Sequence, residues 1–141
     1  MGLLQIEDPG AAPRPIGIDL GTTHSLVAYV PAVGPAVTIC DCDEEPLVPS
    51  VVRYREDGSV SVGKQALKDA REFPRDTIVS VKRFMGRGAD DPETRRLGPY
   101  RFAADSGPVV KFAVAGERVV TPVEVSAEIL RELKEQAEDE I

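Results

Sequence analysis

Tryptophan is absent from the 141 residues, histidine occurs once and cysteine twice. Two cysteines one residue apart build no disulfide framework, and a reducing compartment is the simplest reading. A basic excess is missing as well: 17 Lys and Arg stand against 24 Asp and Glu, a net charge of −7. A nucleic-acid-binding domain would show the opposite balance. Long apolar runs are missing too. Runs such as residues 26–30 fall far short of the roughly twenty residues that a membrane-spanning helix needs. The first ten residues carry neither the basic region nor the apolar stretch of a secretory signal. Met1-Gly2 invites a myristoylation reading, but Ile6 stands where that motif takes Ser or Thr. What is present is 42% apolar residues, enough for the core of one domain of ordinary size. The composition points to a cytoplasmic chain with no nucleic-acid or membrane partner.

Local pattern predicts the following elements. Residues 1–14, with Pro9, Gly10 and Pro13, read as a flexible extension. Residues 16–20 and 25–30 are two β-rich runs around a small polar turn, a hairpin signal. Residues 37–40 form a third strand of the same meander. An acidic loop follows, and then strands at 50–54 and 60–62 joined through Asp57-Gly58. Residues 63–72 read as a helix ended by Pro74, and 77–85 as a second short helix closed by Gly86. Residues 90–99 read as a charged loop, and 100–104, 109–114 and 118–121 as strands. The last element has the clearest signal. Thr121-Pro122-Val123-Glu124 is a capping box with Pro at the first helical position. Behind it Val125, Ile129, Leu130, Leu133 and Ala137 form an apolar stripe. Residues 131–141 hold five acids and two bases, the wrong charge for a helix C-terminus. The expectation is a chain cut within a helix.

Three motifs bear on chemistry. Gly58-Ser59-Val60-Ser61-Val62-Gly63-Lys64-Gln65 nearly fits a P-loop. However, Gln65 stands where Ser or Thr must meet magnesium, and the residues between the glycines alternate like a strand. A hairpin strand running into a helix is the simpler reading. Cys40 and Cys42 at strand spacing, with His24, offer at most three ligands where structural zinc needs four, so buried or idle thiols are expected. Asp19-Leu20-Gly21-Thr22-Thr23 is different. Gly21 lets the backbone approach a ligand closely. Thr22 and Thr23 add hydroxyls to the N–H groups of the turn, a donor set suited to phosphate oxygens. Asp19 can hold hydrated magnesium. On pattern alone, a polar β-turn after a strand explains the same residues.

Ile16-Gly17-Ile18-Asp19-Leu20-Gly21-Thr22-Thr23-His24-Ser25 resembles the first phosphate-binding motif of the seventy-kilodalton heat-shock chaperones, the DnaK-type family. Four further segments resemble the same family in the same order. They are Leu47-Val48-Pro49-Ser50-Val51-Val52, Val62-Gly63-Lys64-Gln65-Ala66, Val81-Lys82-Arg83-Phe84-Met85-Gly86-Arg87 and Pro122-Val123-Glu124-Val125-Ser126-Ala127-Glu128-Ile129-Leu130. The leader from Gly2 to Gly10 and the segment Leu97-Gly98-Pro99-Tyr100-Arg101-Phe102 resemble the HscA-type branch, which serves iron–sulfur cluster assembly.

The resemblance implies an α/β chain, one lobe of an actin-like (ribonuclease H-like) ATPase fold. Residues 15–40 would supply the first strands of an inner subdomain, 41–121 an outer subdomain, and 122–141 a helix returning inward. It implies ATP or ADP with magnesium as cofactors. Asp19 would face magnesium through water, Gly21, Thr22 and Thr23 would lie against the phosphates, and Lys82 would be the catalytic lysine reaching the γ-phosphate and the attacking water. His24 stands where the family usually has Asn or Tyr, also beside the nucleotide. The implied partners of the whole protein are a J-domain cochaperone and an iron–sulfur scaffold protein. The 141 residues carry one wall of the cleft, so the expectation is an inactive piece that binds nucleotide weakly and self-associates through the open edge at residues 16–20. A sugar or acetate kinase and a filament-forming actin relative share the fold and the Asp-Gly-Thr turn. The Lys82–Arg87 segment weighs against both.

Overall fold

The alternation at the start of the chain becomes a hairpin. In the computed structural model, which describes residues 14–141, β1 (Ile16–Leu20) pairs antiparallel with β2 (His24–Tyr29), Leu20 opposite Ser25. The other edge of β2 is shared. β3 (Val37–Thr38) lies beside Ala28 and Tyr29, and β4 (Val48–Pro49) beside His24 and Ser25. β1 is therefore an outer strand of this sheet among the described residues. The extension expected at residues 1–14 lies, except for Arg14, outside the described residues.

A second sheet follows directly. β5 (Val51–Tyr54) sits between β6 (Val60–Val62) and β7 (Thr77–Val79), all antiparallel. The β5–β6 turn is tightened by Asp57, whose carboxylate accepts from the Ser59 N–H at 2.9 Å. The near-P-loop stretch is thus a strand, followed by α1 (Lys64–Asp69). Gly63 at the junction has φ +81, a conformation glycine adopts without strain.

Two expectations are corrected here. Residues 77–85 are not a helix. Thr77, Ile78 and Val79 pair with β5, and only Val81–Phe84 coil, as a 3-10 turn. The β-branched run fits a pleated surface better than a helix. Residues 90–99 are not all loop: α2 (Pro92–Arg96) is capped by Asp91, whose side chain accepts from the Glu93 N–H. The third sheet, β8 (Arg101–Phe102), β9 (Phe112–Val114) and β10 (Arg118–Val120), has the order β10-β9-β8.

α3 (Pro122–Glu140) closes the molecule and has the expected capping box. Val125, Ile129, Leu133 and Ala137 form its buried row, while Leu130 is 38% exposed. That row meets Val27, Val52 and Tyr54 in one continuous core that also holds residues of the third sheet. Phe84 lies at the aromatic centre of that core, 5.0 Å from Phe112 and 5.6 Å from Tyr100, edge to face. Such pairs add about 0.5–1.5 kcal/mol each beyond burial. Among the described residues no helix is long and apolar enough to cross a membrane.

Candidate phosphate-binding site

The β1–β2 turn is tight because Gly21 has no side chain. A Cβ there would lie 2.1 Å from the His24 carbonyl oxygen. Asp19 and Thr23 are exposed on either side of the turn, Gly21 and Thr22 are half-buried, and His24 opens β2 with its side chain exposed. The turn therefore offers a carboxylate and two hydroxyls at an accessible mouth.

Lys82 arrives from far along the chain. Its turn is amphipathic: Val81 and Phe84 are buried in the core, while Lys82 and Arg83 are exposed. The two buried side chains fix the turn and leave the lysine free to project. Its Nζ donates to the Leu20 carbonyl oxygen at 3.0 Å, across sixty-two residues of sequence. An ammonium thus lies against the end of β1, one residue from both Asp19 and Gly21. Of the residues the resemblance implies for the nucleotide, Asp19, Gly21, Thr22, Thr23 and His24 lie along this hairpin, and Lys82 reaches it at Leu20.

Beneath the turn lies a pair of hydroxyls. Ser25 and Ser50 are both 1% exposed, and their Oγ atoms are 2.9 Å apart. The Ser50 hydroxyl donates to the Gly21 carbonyl at 2.9 Å. Pattern reading does not mark Ser50 as a partner of the turn. The available signal is Ser50 itself, a small polar residue between the apolar runs of two strands, where burial demands a partner.

The cysteines are placed elsewhere than expected. β3 ends at Thr38, so Cys40 and Cys42 lie in the loop beyond it rather than on one strand face. Both are free and exposed, not buried. Among the described residues no group of three or more His, Cys, Asp or Glu side chains is arranged to hold a metal ion. The same loop is organised by Asp41, whose Oδ1 accepts from the N–H groups of Asp43 and Glu45, each at 2.9 Å. Its other oxygen lies 2.7 Å from Lys64 Nζ. The hydrogen bond from Lys64 holds the Asp41 carboxyl below its usual range, and Asp41 in turn raises Lys64.

The chain is of the mixed α/β class with three antiparallel sheets, and sequence comparison gives the family. The family model described as Hsp70 protein matches residues 15–141, so the chain belongs to the Hsp70 family. Among similar relatives is the protein named chaperone protein HscA homolog of Ralstonia pickettii, 49% identical over 145 residues, covering 99% of this chain and 23% of that protein. Those of Ralstonia nicotianae and Chromobacterium violaceum are 50% and 49% identical, with 99% and 98% of this chain covered. The chain thus spans about a quarter, 23%, of the length of these curated relatives. Family membership sets aside the sugar kinase, acetate kinase and actin-filament readings.

Proposed function

We propose that the chain forms one wall of the nucleotide cleft of a chaperone ATPase, with the actin-like topology of its family. In this reading residues 15–40 begin the inner subdomain, 41–121 form the outer one, and 122–141 return to the inner part. The donor set fits the cofactor. The carboxylate is a hard oxygen group of the kind that hydrated magnesium prefers, and the two hydroxyls can donate to phosphate oxygens. Asp19 would orient the hydrated ion, which when bound offsets charge on the phosphates. Gly21 would let the turn approach the phosphates closely, Thr22 and Thr23 would contact them, with Thr22 on the γ-phosphate side, and His24 would stand beside the nucleotide. Lys82, whose Nζ donates to the Leu20 carbonyl, would set its ammonium where negative charge develops in transfer, the kind of electrostatic help that contributes most to such reactions.

The whole protein would use ATP hydrolysis to switch its hold on a client in iron–sulfur cluster assembly, in the cytoplasm, with a J-domain cochaperone and a scaffold protein as partners. The single observation that carries the reading is the 3.0 Å contact of Lys82 with the end of β1. The test is ATP hydrolysis by the full-length gene product, which Lys82→Ala should lower at least about a hundredfold while ATP still binds. The 141-residue chain alone, offering one wall, should show no measurable turnover. Magnesium-dependent hydrolysis by that chain, lost in Lys82→Ala, would overturn the one-wall reading.

A further inference from the structure

Ser50 is the residue at which the chain leaves one sheet and enters the next. β4 ends at Pro49 and β5 begins at Val51. Each polar group of Ser50 serves a different neighbour. Its N–H donates to the Thr23 carbonyl at 2.9 Å, its hydroxyl to the Gly21 carbonyl at 2.9 Å, and its own carbonyl accepts from the Ser80 N–H at 3.4 Å. Thr23 and Gly21 belong to the phosphate-type turn. Ser80 immediately precedes the 3-10 turn that carries Lys82. It has φ +54, a left-handed conformation that a non-glycine residue keeps only when its surroundings hold it there. A serine hydroxyl carries one proton. That of Ser50 goes to Gly21, so Ser25 is the donor between the two hydroxyls.

We propose that Ser50 is a positioning residue. It ties the hairpin turn to the Lys82 turn, so that the hairpin donors and the lysine ammonium meet the phosphates as one preformed surface. The inference rests on the nucleotide reading of the hairpin. Transfer is sensitive to placement: a displacement of about 1 Å can cost roughly a hundredfold in rate. Ser50→Ala leaves both backbone bonds of residue 50 in place and removes the side-chain tie to Gly21 together with the acceptor of the Ser25 hydroxyl, whereas Ser25→Ala removes that second bond alone. A loss of kcat beyond that of Ser25→Ala therefore reports the tie to Gly21 rather than the buried hydroxyl pair.

The test is steady-state ATP hydrolysis by the full-length gene product, with the melting temperature of each variant measured alongside. Ser50→Ala should lower kcat about tenfold while KM for ATP changes by less than about threefold. Ser50→Thr, which keeps the hydroxyl, should restore most of kcat. Ser25→Ala removes the neighbouring hydroxyl but leaves the bond to Gly21, and should keep kcat within about twofold of the parent. Equal losses of kcat in Ser50→Ala and Ser25→Ala, in step with their melting temperatures, would make Ser50 a structural residue and overturn the proposal. Should Ser50→Ala fail to fold, Ser50→Cys replaces it, a similar shape with a weaker donor. A several-fold fall in kcat is then expected, and parental kcat overturns the proposal. Lys82→Ala separates the two layers of argument. If it leaves turnover intact, or if the parent shows none, the nucleotide reading fails and takes this inference with it. If it abolishes turnover while Ser50→Ala stays at the parental rate, only the role of Ser50 fails.

Discussion

Gly21 and Gly17 stand four residues apart and make opposite predictions. A Cβ on Gly21 would lie 2.1 Å from the backbone oxygen of His24, which cannot move without opening the turn. Gly21→Ala should cost about 2 kcal/mol or more in urea unfolding, and it should expose the amides of residues 20–25 to hydrogen exchange. A Cβ on Gly17 meets nothing within 4 Å. Gly17→Ala should be neutral or stabilise by up to roughly 1 kcal/mol, since alanine has less freedom to lose on folding. At this scale the sequence was informative about residue types. Asp19, Gly21, Thr22 and Thr23 stand within five residues of one another, and pattern alone leaves a phosphate turn and an ordinary polar turn both open. The link from Lys82 to Leu20 was not legible, because it spans sixty-two residues and depends on two side chains, Val81 and Phe84, being anchored in the core. Without the family resemblance, Lys82 reads as an ordinary solvated lysine.

At the scale of elements, α3 was the most legible because its signals are local. Thr121 accepts from the Glu124 N–H at 3.2 Å, and Glu124 accepts from the Thr121 N–H at 3.4 Å. Thr121→Ala should therefore destabilise the chain by about 1 kcal/mol in denaturant unfolding, and Thr121→Ser by little. The misread elements had conflicting signals. Thr77, Ile78 and Val79 are followed by a segment that does coil, and the helical turn of Val81–Phe84 draws the reading of its neighbours with it. α2 carried an Asp cap, Pro at the first position and Glu93 in the first turn, but five residues are too few to show periodicity. The loop after β3 gives a pH prediction. The hydrogen bond from Lys64 holds the Asp41 carboxyl below its ordinary value, and that same bond holds Lys64 above its own. A lowered acid stabilises the fold above its unfolded value and loses that contribution as pH falls through its folded value. A raised base stabilises below its unfolded value and loses it as pH rises through its folded value. The stability difference between the parent and Asp41→Asn should thus be flat between about pH 5 and pH 9 and close outside that window. Urea midpoints measured across pH would show this, and a difference that persists unchanged at pH 2.5 would refute it.

At the scale of the molecule, two properties oppose each other. β1 is paired on one side only among the described residues, and its Ile16 and Ile18 are 37% and 39% exposed. An open, apolar strand edge recruits a second strand. The net charge of −7 repels a second copy. These forces have different ranges. Strand pairing acts at contact, whereas the repulsion is screened over about 8 Å in physiological salt and about 3 Å in molar salt. Pairing should win as salt rises, so the 141-residue chain should self-associate, and more strongly in 1 M sodium chloride than in 0.05 M. Ile18→Lys puts a charge on the edge strand at a position that is already 39% exposed, and it should raise the concentration needed for association at least about tenfold, or about 1.4 kcal/mol. Sedimentation velocity across concentration and salt measures both effects. A monomer under every condition, with residues 16–20 fully protected from hydrogen exchange, would show that the edge is closed by something other than a second copy. Association that weakens with salt would assign it to charge instead of to the strand.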